Sequence, residues 1–263
     1  IGGAADECEA VGGVRTGDTC TLTGPLVGSV EIVGEKQVLD CAGNSITQDP
    51  AKGGFGVGIA VGSPWIGLGT DPPVNVTVRN CVVGAVGAGF GTGLQGFGIQ
   101  GLTVQGCTFA DNATGIALGP GAGGRALDNT LRGVTEAGIF LQGPLNTSAV
   151  RGNDVALASG FARKTVGFYL AGMGVIDITT GLVTSDPVTS TVLRDNVVTG
   201  GTYGLLLTFA TGNEVLENTF DGPERGLRLE DEFAWPNAFH DNNVLATVVG
   251  ASSGFGPVEL SWS

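Results

Sequence analysis

The sequence predicts an all-β solenoid, in which short parallel strands wind into stacked coils. Three observations carry that prediction. First, seven stretches are variants of one phrase, alternating apolar residues closed by a polar pair containing Asn or Gly: VTVRNCVV (76–83), LTVQGCTF (102–109), RALDNTLR (125–132), SAVRGNDV (148–155), TVLRDNVV (191–198), EVLENTFD (214–221) and AFHDNNVL (238–245). Second, a small-Gly-apolar-x-apolar phrase lies between most of them: TGIALG (114–119), AGIFLQG (137–143), VGFYLAG (166–172), YGLLLTF (203–209) and RGLRLED (225–231). Third, apolar residues alternate with period two, and no ten-residue helical pattern links the strands, which excludes βαβ units. A unit that recurs every 22–24 residues cannot bury its own apolar face, so it stacks on copies of itself.

The elements follow in chain order. Residues 1–18 are expected to cap the first coil, with DECEAVG (6–12) as a short amphipathic helix, because the end coils of a solenoid expose unpaired edges. Coils of about three strands then run over 19–245. Their polar corner is marked by Asn80, Gly106, Asn129, Asn153, Asn196, Asn218 and Asn242. Asn suits such a corner, because it tolerates the left-handed backbone and its amide can hydrogen-bond along the stack. The marker spacing is 22–26 residues except for 43 between Asn153 and Asn196. That long step holds one Gly-apolar strand, 167–171, with extra chain near 156–165 and 171–190. The second insertion, GMGVIDITTGLVTSDP (172–187), reads as a β-hairpin. Residues 246–263 are expected to cover the far end as a C-terminal cap.

Composition narrows the partners. Apolar residues make up 42% and charged residues 14%, so the 48 glycines belong to turns of a packed repeat and not to a disordered linker. The net charge of -13 disfavours a nucleic-acid partner, which needs clustered Lys and Arg, and equally any polyanion without a bridging cation. No apolar run is long enough to span a membrane. A start at Ile1 fits a processed, exported protein and equally a trimmed chain. Of the five cysteines, Cys8 and Cys20 are expected to pair within the N-terminal segment. Cys81 and Cys107 follow the markers Asn80 and Gly106 in neighbouring repeats, so stacking puts them roughly 4.8 Å apart, which suits a second bridge. Cys41 is then left over. The alternative for all five is a role as buried small apolar residues.

The opening TCTLTGPLVGSVEIVGEKQVLDCAGNSIT (19–47), with its VLDCAGNSI phrase, resembles the first coil of the right-handed parallel β-helix proteins of the pectate-lyase-like superfamily. The resemblance covers roughly residues 19–250 and implies a single-stranded right-handed parallel β-helix of about eight coils. That superfamily holds polysaccharide lyases, hydrolases, epimerases and phage tail proteins, so the fold leaves the activity open. Motifs of its enzymes do not carry over. The paired-carboxylate, His-Gly and Arg-x-Lys segments of polygalacturonases are missing, as are the DPHD of epimerases and the RxPxxR of pectate lyases. The lone histidine, His240, has no Gly after it.

Candidate function therefore rests on placement. In the Gly-apolar strands, Ala117, Phe140, Tyr169, Leu206 and Arg228 should point outward in one column, an unusual apolar stripe for a solvated face. A sugar-stacking surface would look like this, and so would a face covered by the insertions or by a second copy in a homo-oligomer. Both insertions flank the strand of Tyr169, and loops on a rigid scaffold commonly carry function. A lyase or epimerase acting on a uronate needs a cation for the sugar carboxylate, a base and an acid. Arg163 is assigned the first role, Lys164 or Tyr169 the others, with Phe140, Arg228, Asp177 and Asp186 as substrate contacts. The competing reading is solvated loop charges beside a half-buried Tyr. The acidic stretch 225–243, with Glu230, Asp231, Glu232, His240 and Asp241, permits Ca²⁺, although no ligand spacing demands it. The expected protein is an exported, secreted or cell-surface, carbohydrate-active β-helix. The alternative is a non-catalytic structural, adhesive or assembly protein whose apolar face is an interface.

Overall fold

A computed structural model describes all residues except 2–4, 53–55, 63–72, 160–163, 177–182, 231–235, 246–247 and 253–263. Among the described residues, parallel strands stack into one ten-stranded sheet, two nine-stranded sheets and a five-stranded sheet of two-residue strands. The coil thus has the three expected long sides and, at one corner of five coils, a short fourth. The first repeated phrase supplies two sides. In TVLRDNVV, Val192–Arg194 joins the ten-stranded first face and Val197–Thr199 joins the nine-stranded second face. The Gly-apolar phrase supplies the third face, which runs through Val57–Val61, Thr92–Gly96, Thr114–Leu118, Ala137–Gln142, Val166–Ala171, Tyr203–Thr208 and Arg225–Glu230. At the N-terminal end the helix Ala5–Ala10 lies against Gly13–Thr16, whose antiparallel pairing with Thr19–Leu22 closes the edge of the ten-stranded sheet. No helix among the described residues is long and apolar enough to cross a membrane.

The core is three sets of vertical stacks. Leu39, Val78, Val104, Ala126, Val150, Leu193 and Val215 line the first face, each 0–1% exposed. Phe109, Leu131, Val155, Val198 and Phe220 line the second, and Ile116, Ile139, Phe168, Leu205 and Leu227 the third. The Gly of the second phrase has a steric cause. A Cβ on Gly138, Gly167 or Gly204 would lie 2.5 Å from Val155, Val198 or Phe220 of the second face. Only a residue without a side chain lets the third face close on the second.

The corner between the first two faces holds a ladder of buried amides. The Asn153 N–H and side-chain Nδ2 both donate to Asn196 Oδ1, at 3.0 and 2.9 Å, and Asn196 donates likewise to Asn218 at 3.1 and 2.8 Å. Each Nδ2 also donates inward, as Asn196 does to the Val150 carbonyl at 2.9 Å. The residue ahead of each rung carries the left-handed turn, with Asp128, Asp195, Glu217 and Asp241 at φ 52–56°. Two of the expected markers are displaced by one residue. Asn80 and Gly106 have positive φ (55° and 61°) and occupy this turn position. Cys81 and Cys107 take the ladder position instead: Cys107 N–H donates to Asn129 Oδ1 at 3.0 Å, and Cys81 N–H meets Cys107 Sγ at 3.5 Å.

That displacement bears on the disulfides. Cys8–Cys20 is present. Cys81, however, bridges Cys41 and not Cys107, which remains a buried thiol. The correction has a physical reason. The chain around Cys41 departs from the repeat, turning through Ala42 and Gly43 at positive φ, so Cys41 is set one residue ahead of the ladder and its Cα comes 4.7 Å from that of Cys81. Burial pushes the Cys107 thiol up to about 12, which leaves it protonated and unreactive in the folded chain.

The long marker step is a single rung, since Asn153 and Asn196 are hydrogen-bonded neighbours. Its third-face strand, Val166–Ala171, is followed at once by an antiparallel hairpin of Met173–Ile176 with Val183–Asp186.

Candidate functional site

The outer surface of the third face carries the candidate site. Register pairs Gln95, Ala117, Phe140, Tyr169, Leu206 and Arg228 as neighbours on successive strands, the expected outward column extended by one rung at its start. A second outer column runs beside it through Thr92, Thr114, Ala137, Val166, Tyr203 and Arg225.

Across the first rungs of these columns lies an open groove of about 260 Å³, lined by Thr92, Gln95, Phe97, Thr114, Ala117, Leu118, Phe140 and Gln142. Its floor is small because Ala117 is a single methyl in the middle of the column. At one end the ring of Phe140 stands up, stacked on Tyr169 with centroids 5.1 Å apart and planes inclined by 23°. The described lining offers hydroxyls, amides and an aromatic wall but no ionisable side chain. A concave, mostly apolar surface with a few polar groups is the usual form of a binding site for a neutral organic face.

Beyond the stack the face changes character. Val166, Tyr203 and Leu206 form a separate apolar cluster outside the coil, 2–7% exposed, with Tyr169 packed against it. Cations surround Tyr203. Lys164 Nζ, Arg225 Cζ and Arg228 Cζ lie 5.7, 5.8 and 5.3 Å from its ring centroid. Arg228 donates to the Tyr203 hydroxyl at 2.7 Å and pairs with Glu230 at 2.6 Å.

The residues singled out from sequence fall as follows. Phe140 and Tyr169 meet in the wall, and Tyr169, Lys164 and Arg228 are brought together around Tyr203. Asp186 ends the returning strand of the hairpin, at the edge of the same face. Arg163 and Asp177 lie outside the described residues. The calcium set does not converge: Glu230 ends a third-face strand and binds Arg228, whereas His240 and Asp241 sit at the far corner of the first face. Asp231 and Glu232 lie outside the described residues, and no described group of three His, Cys, Asp or Glu could hold a metal. Strict alternation would have turned Tyr203 inward, two residues before Leu205. It faces out because Gly204 and Leu205 are both turned toward the core, which resets the alternation at each phrase. The signal was present in the repeated Gly, which demands an inward-facing position without a side chain.

A family model described as right handed beta helix region matches residues 20–220. By sequence, no curated protein matches. Among solved structures, a tailspike protein mutant of E. coli bacteriophage HK620 in complex with a hexasaccharide superposes with a TM-score of 0.54 at 16% identity, over 91% of this chain and 44% of that one. The enzymatically active domain of tailspike protein 2 of bacteriophage CBA120 gives 0.50 at 11% identity, over 89% of this chain and 42% of that one. The chain thus spans less than half the length of these tailspike chains, and at such identities the likeness is one of fold.

Proposed function

The chain belongs to the right-handed β-helix family, and from that premise we propose that it is an exported protein that binds a polysaccharide along the groove of its third face. The observation that carries the reading is the Phe140–Tyr169 stack standing at the end of a groove lined by Gln95, Thr92, Thr114 and Gln142. Aromatic faces bury the apolar C–H faces of a sugar ring, and amide and hydroxyl groups beside them match its hydroxyls. The straight axis of the solenoid suits a linear polymer, because equivalent positions recur roughly every 4.8 Å. The hexasaccharide in the HK620 tailspike supports the same choice of ligand. Export is supported by the disulfides Cys8–Cys20 and Cys41–Cys81, which persist in oxidising compartments.

The finer form of the proposal makes the polymer a uronate and the protein a lyase or epimerase. Lys164, in place of Arg163, which lies outside the described residues, would neutralise the sugar carboxylate, and Tyr169 would take the proton of the neighbouring carbon and, in a lyase, return it to the leaving oxygen. Support is the convergence of both residues on the Tyr203 cluster. The competing reading, a protein interface on the apolar stripe, is weakened by the burial of Val166, Tyr203 and Leu206 within the chain, which leaves little open apolar surface.

A panel of uronate-containing and neutral polysaccharides tests both levels. Binding without new ultraviolet absorbance supports the groove and removes the lyase form. If new double bonds appear, Tyr169→Phe is expected to abolish them in a folded chain, and an unchanged rate would dismiss Tyr169 from the chemistry.

A further inference from the structure

We infer that the surface around Tyr203 is an oxyanion subsite, which selects polymers bearing a carboxylate or sulfate group; the inference rests on reading the third face as a polysaccharide groove. The chain carries 12 basic residues against 25 acidic ones. Three of those basic side chains, Lys164, Arg225 and Arg228, nevertheless gather within 5.3–5.8 Å of one ring centroid. Three like charges gathered around one buried ring repel one another. Glu230 offsets Arg228 alone, and a negative group joining Lys164 and Arg225 would offset the rest.

The three cations differ in how they are held. Arg228 is fixed: one nitrogen donates to the Tyr203 hydroxyl at 2.7 Å and another pairs with Glu230 at 2.6 Å. It orients the ring and is neutralised by its carboxylate. Lys164 and Arg225 are exposed, and among the described residues neither forms an ion pair, the adjacent Glu224 included. An ammonium and a guanidinium in that state donate strong charge-assisted hydrogen bonds to an incoming oxyanion. They stand on the firm floor of Val166, Tyr203 and Leu206, so little must be ordered on binding.

Placement ties this patch to the groove. Leu206 and Arg228 continue the column of Phe140 and Tyr169, and Tyr203 and Arg225 continue the column of Thr92 and Thr114. Phe140 and Arg228 are three strands apart, roughly 14 Å along the axis. A polymer stacked on Phe140 and lying along the axis therefore reaches Lys164 and Arg225 within a few sugar units. Arg225 becomes a specificity-determining residue, and Tyr203 its platform.

Equilibrium titrations of the whole chain, Arg225→Gln and Lys164→Gln with polygalacturonate, dextran sulfate and neutral dextran decide the matter. The wild-type chain is expected to bind one of the anionic polymers more tightly than dextran, with affinity that falls as salt rises. Which of the two it prefers identifies the group as carboxylate or sulfate. Each substitution should weaken that binding about tenfold, the loss of one charge-assisted contact, and leave dextran binding unchanged. If both variants keep wild-type affinity for the anionic polymers while Phe140→Ala loses it, the subsite is overturned and the groove stands. If no polymer of either charge binds the wild-type chain, the groove reading falls and the subsite falls with it.

Discussion

Asn196 shows how much of the molecule hangs on one amide. Its oxygen accepts from the Asn153 backbone and side chain at 3.0 and 2.9 Å, and its nitrogen donates to the Val150 carbonyl and Asn218 at 2.9 and 2.8 Å. Alanine there strands a buried Asn153 N–H, and each such group costs roughly 1–3 kcal/mol. Asn196→Ala is therefore expected to lower the unfolding free energy by about 2–6 kcal/mol in a denaturant titration, twice the loss of a single pair. The cysteines give a second test. Cys107 continues the ladder directly beneath Cys81, whose N–H points at its sulfur from 3.5 Å. In Cys41→Ser, refolded in a glutathione buffer, peptide mapping should find Cys81 bridged to Cys107; two free thiols would show that the ladder spacing does not admit that bond. At the same corner, burial raises the Asp40 carboxyl, but hydrogen bonds from the Ala42 amide, Asn80 and Arg79, together with the Arg79 charge, outweigh it and hold the group below its usual range. A carboxylate depressed in the folded state stabilises above its unfolded value, and that contribution is lost as pH falls through the folded one. Asp40→Asn should therefore lower the melting temperature at neutral pH, with the difference shrinking below about pH 4.

The third-face strand is the element where sequence and structure can be compared most closely. Its inward pairs, the outward column and the single rung across the long marker step were all legible, because each depends on a period of two and on stacking in register. What escaped was local. The Gly of each phrase turns toward the second face, since a Cβ there would strike Val155, Val198 or Phe220, and this resets the alternation and brings Tyr203 outward. The same kind of one-residue slip moved Asn80 and Gly106 off the ladder and gave Cys81 a different partner. Neither slip changes hydropathy, so no apolar pattern reveals it. The site was legible as a stripe and two flanking insertions. Lys164 and Arg228 were named with it, whereas Arg225 and Tyr203 were not, because these two lie a coil apart in sequence and meet only through the stack. For this element the expected mark of function is selective: Gln95→Ala should weaken polysaccharide binding several-fold, one hydrogen-bonding partner's worth, and leave the melting temperature unchanged, as its side chain lines the groove and not the core.

Across the whole molecule, the solenoid divides its labour by direction. Inward stacks and the amide ladder supply stability, and each rung depends on its neighbours. Outward positions are free to differ, so the third face passes from a small uncharged groove, through two stacked rings, to a cationic patch in a chain of net charge -13. Such a gradient along a straight axis is what a linear polymer with spaced charges would meet. The most direct measurement is an equilibrium titration of the panel polysaccharides against the wild-type chain, Phe140→Ala and Tyr169→Ala, with melting curves recorded for all three. The predicted result is binding by the wild type and a loss of about tenfold or more in each variant, roughly 1.4 kcal/mol apiece, with little change in melting temperature for Phe140→Ala and a modest drop for Tyr169→Ala, whose ring also packs against Val166, Tyr203 and Leu206. Wild-type affinity in both variants would contradict the groove as the binding surface.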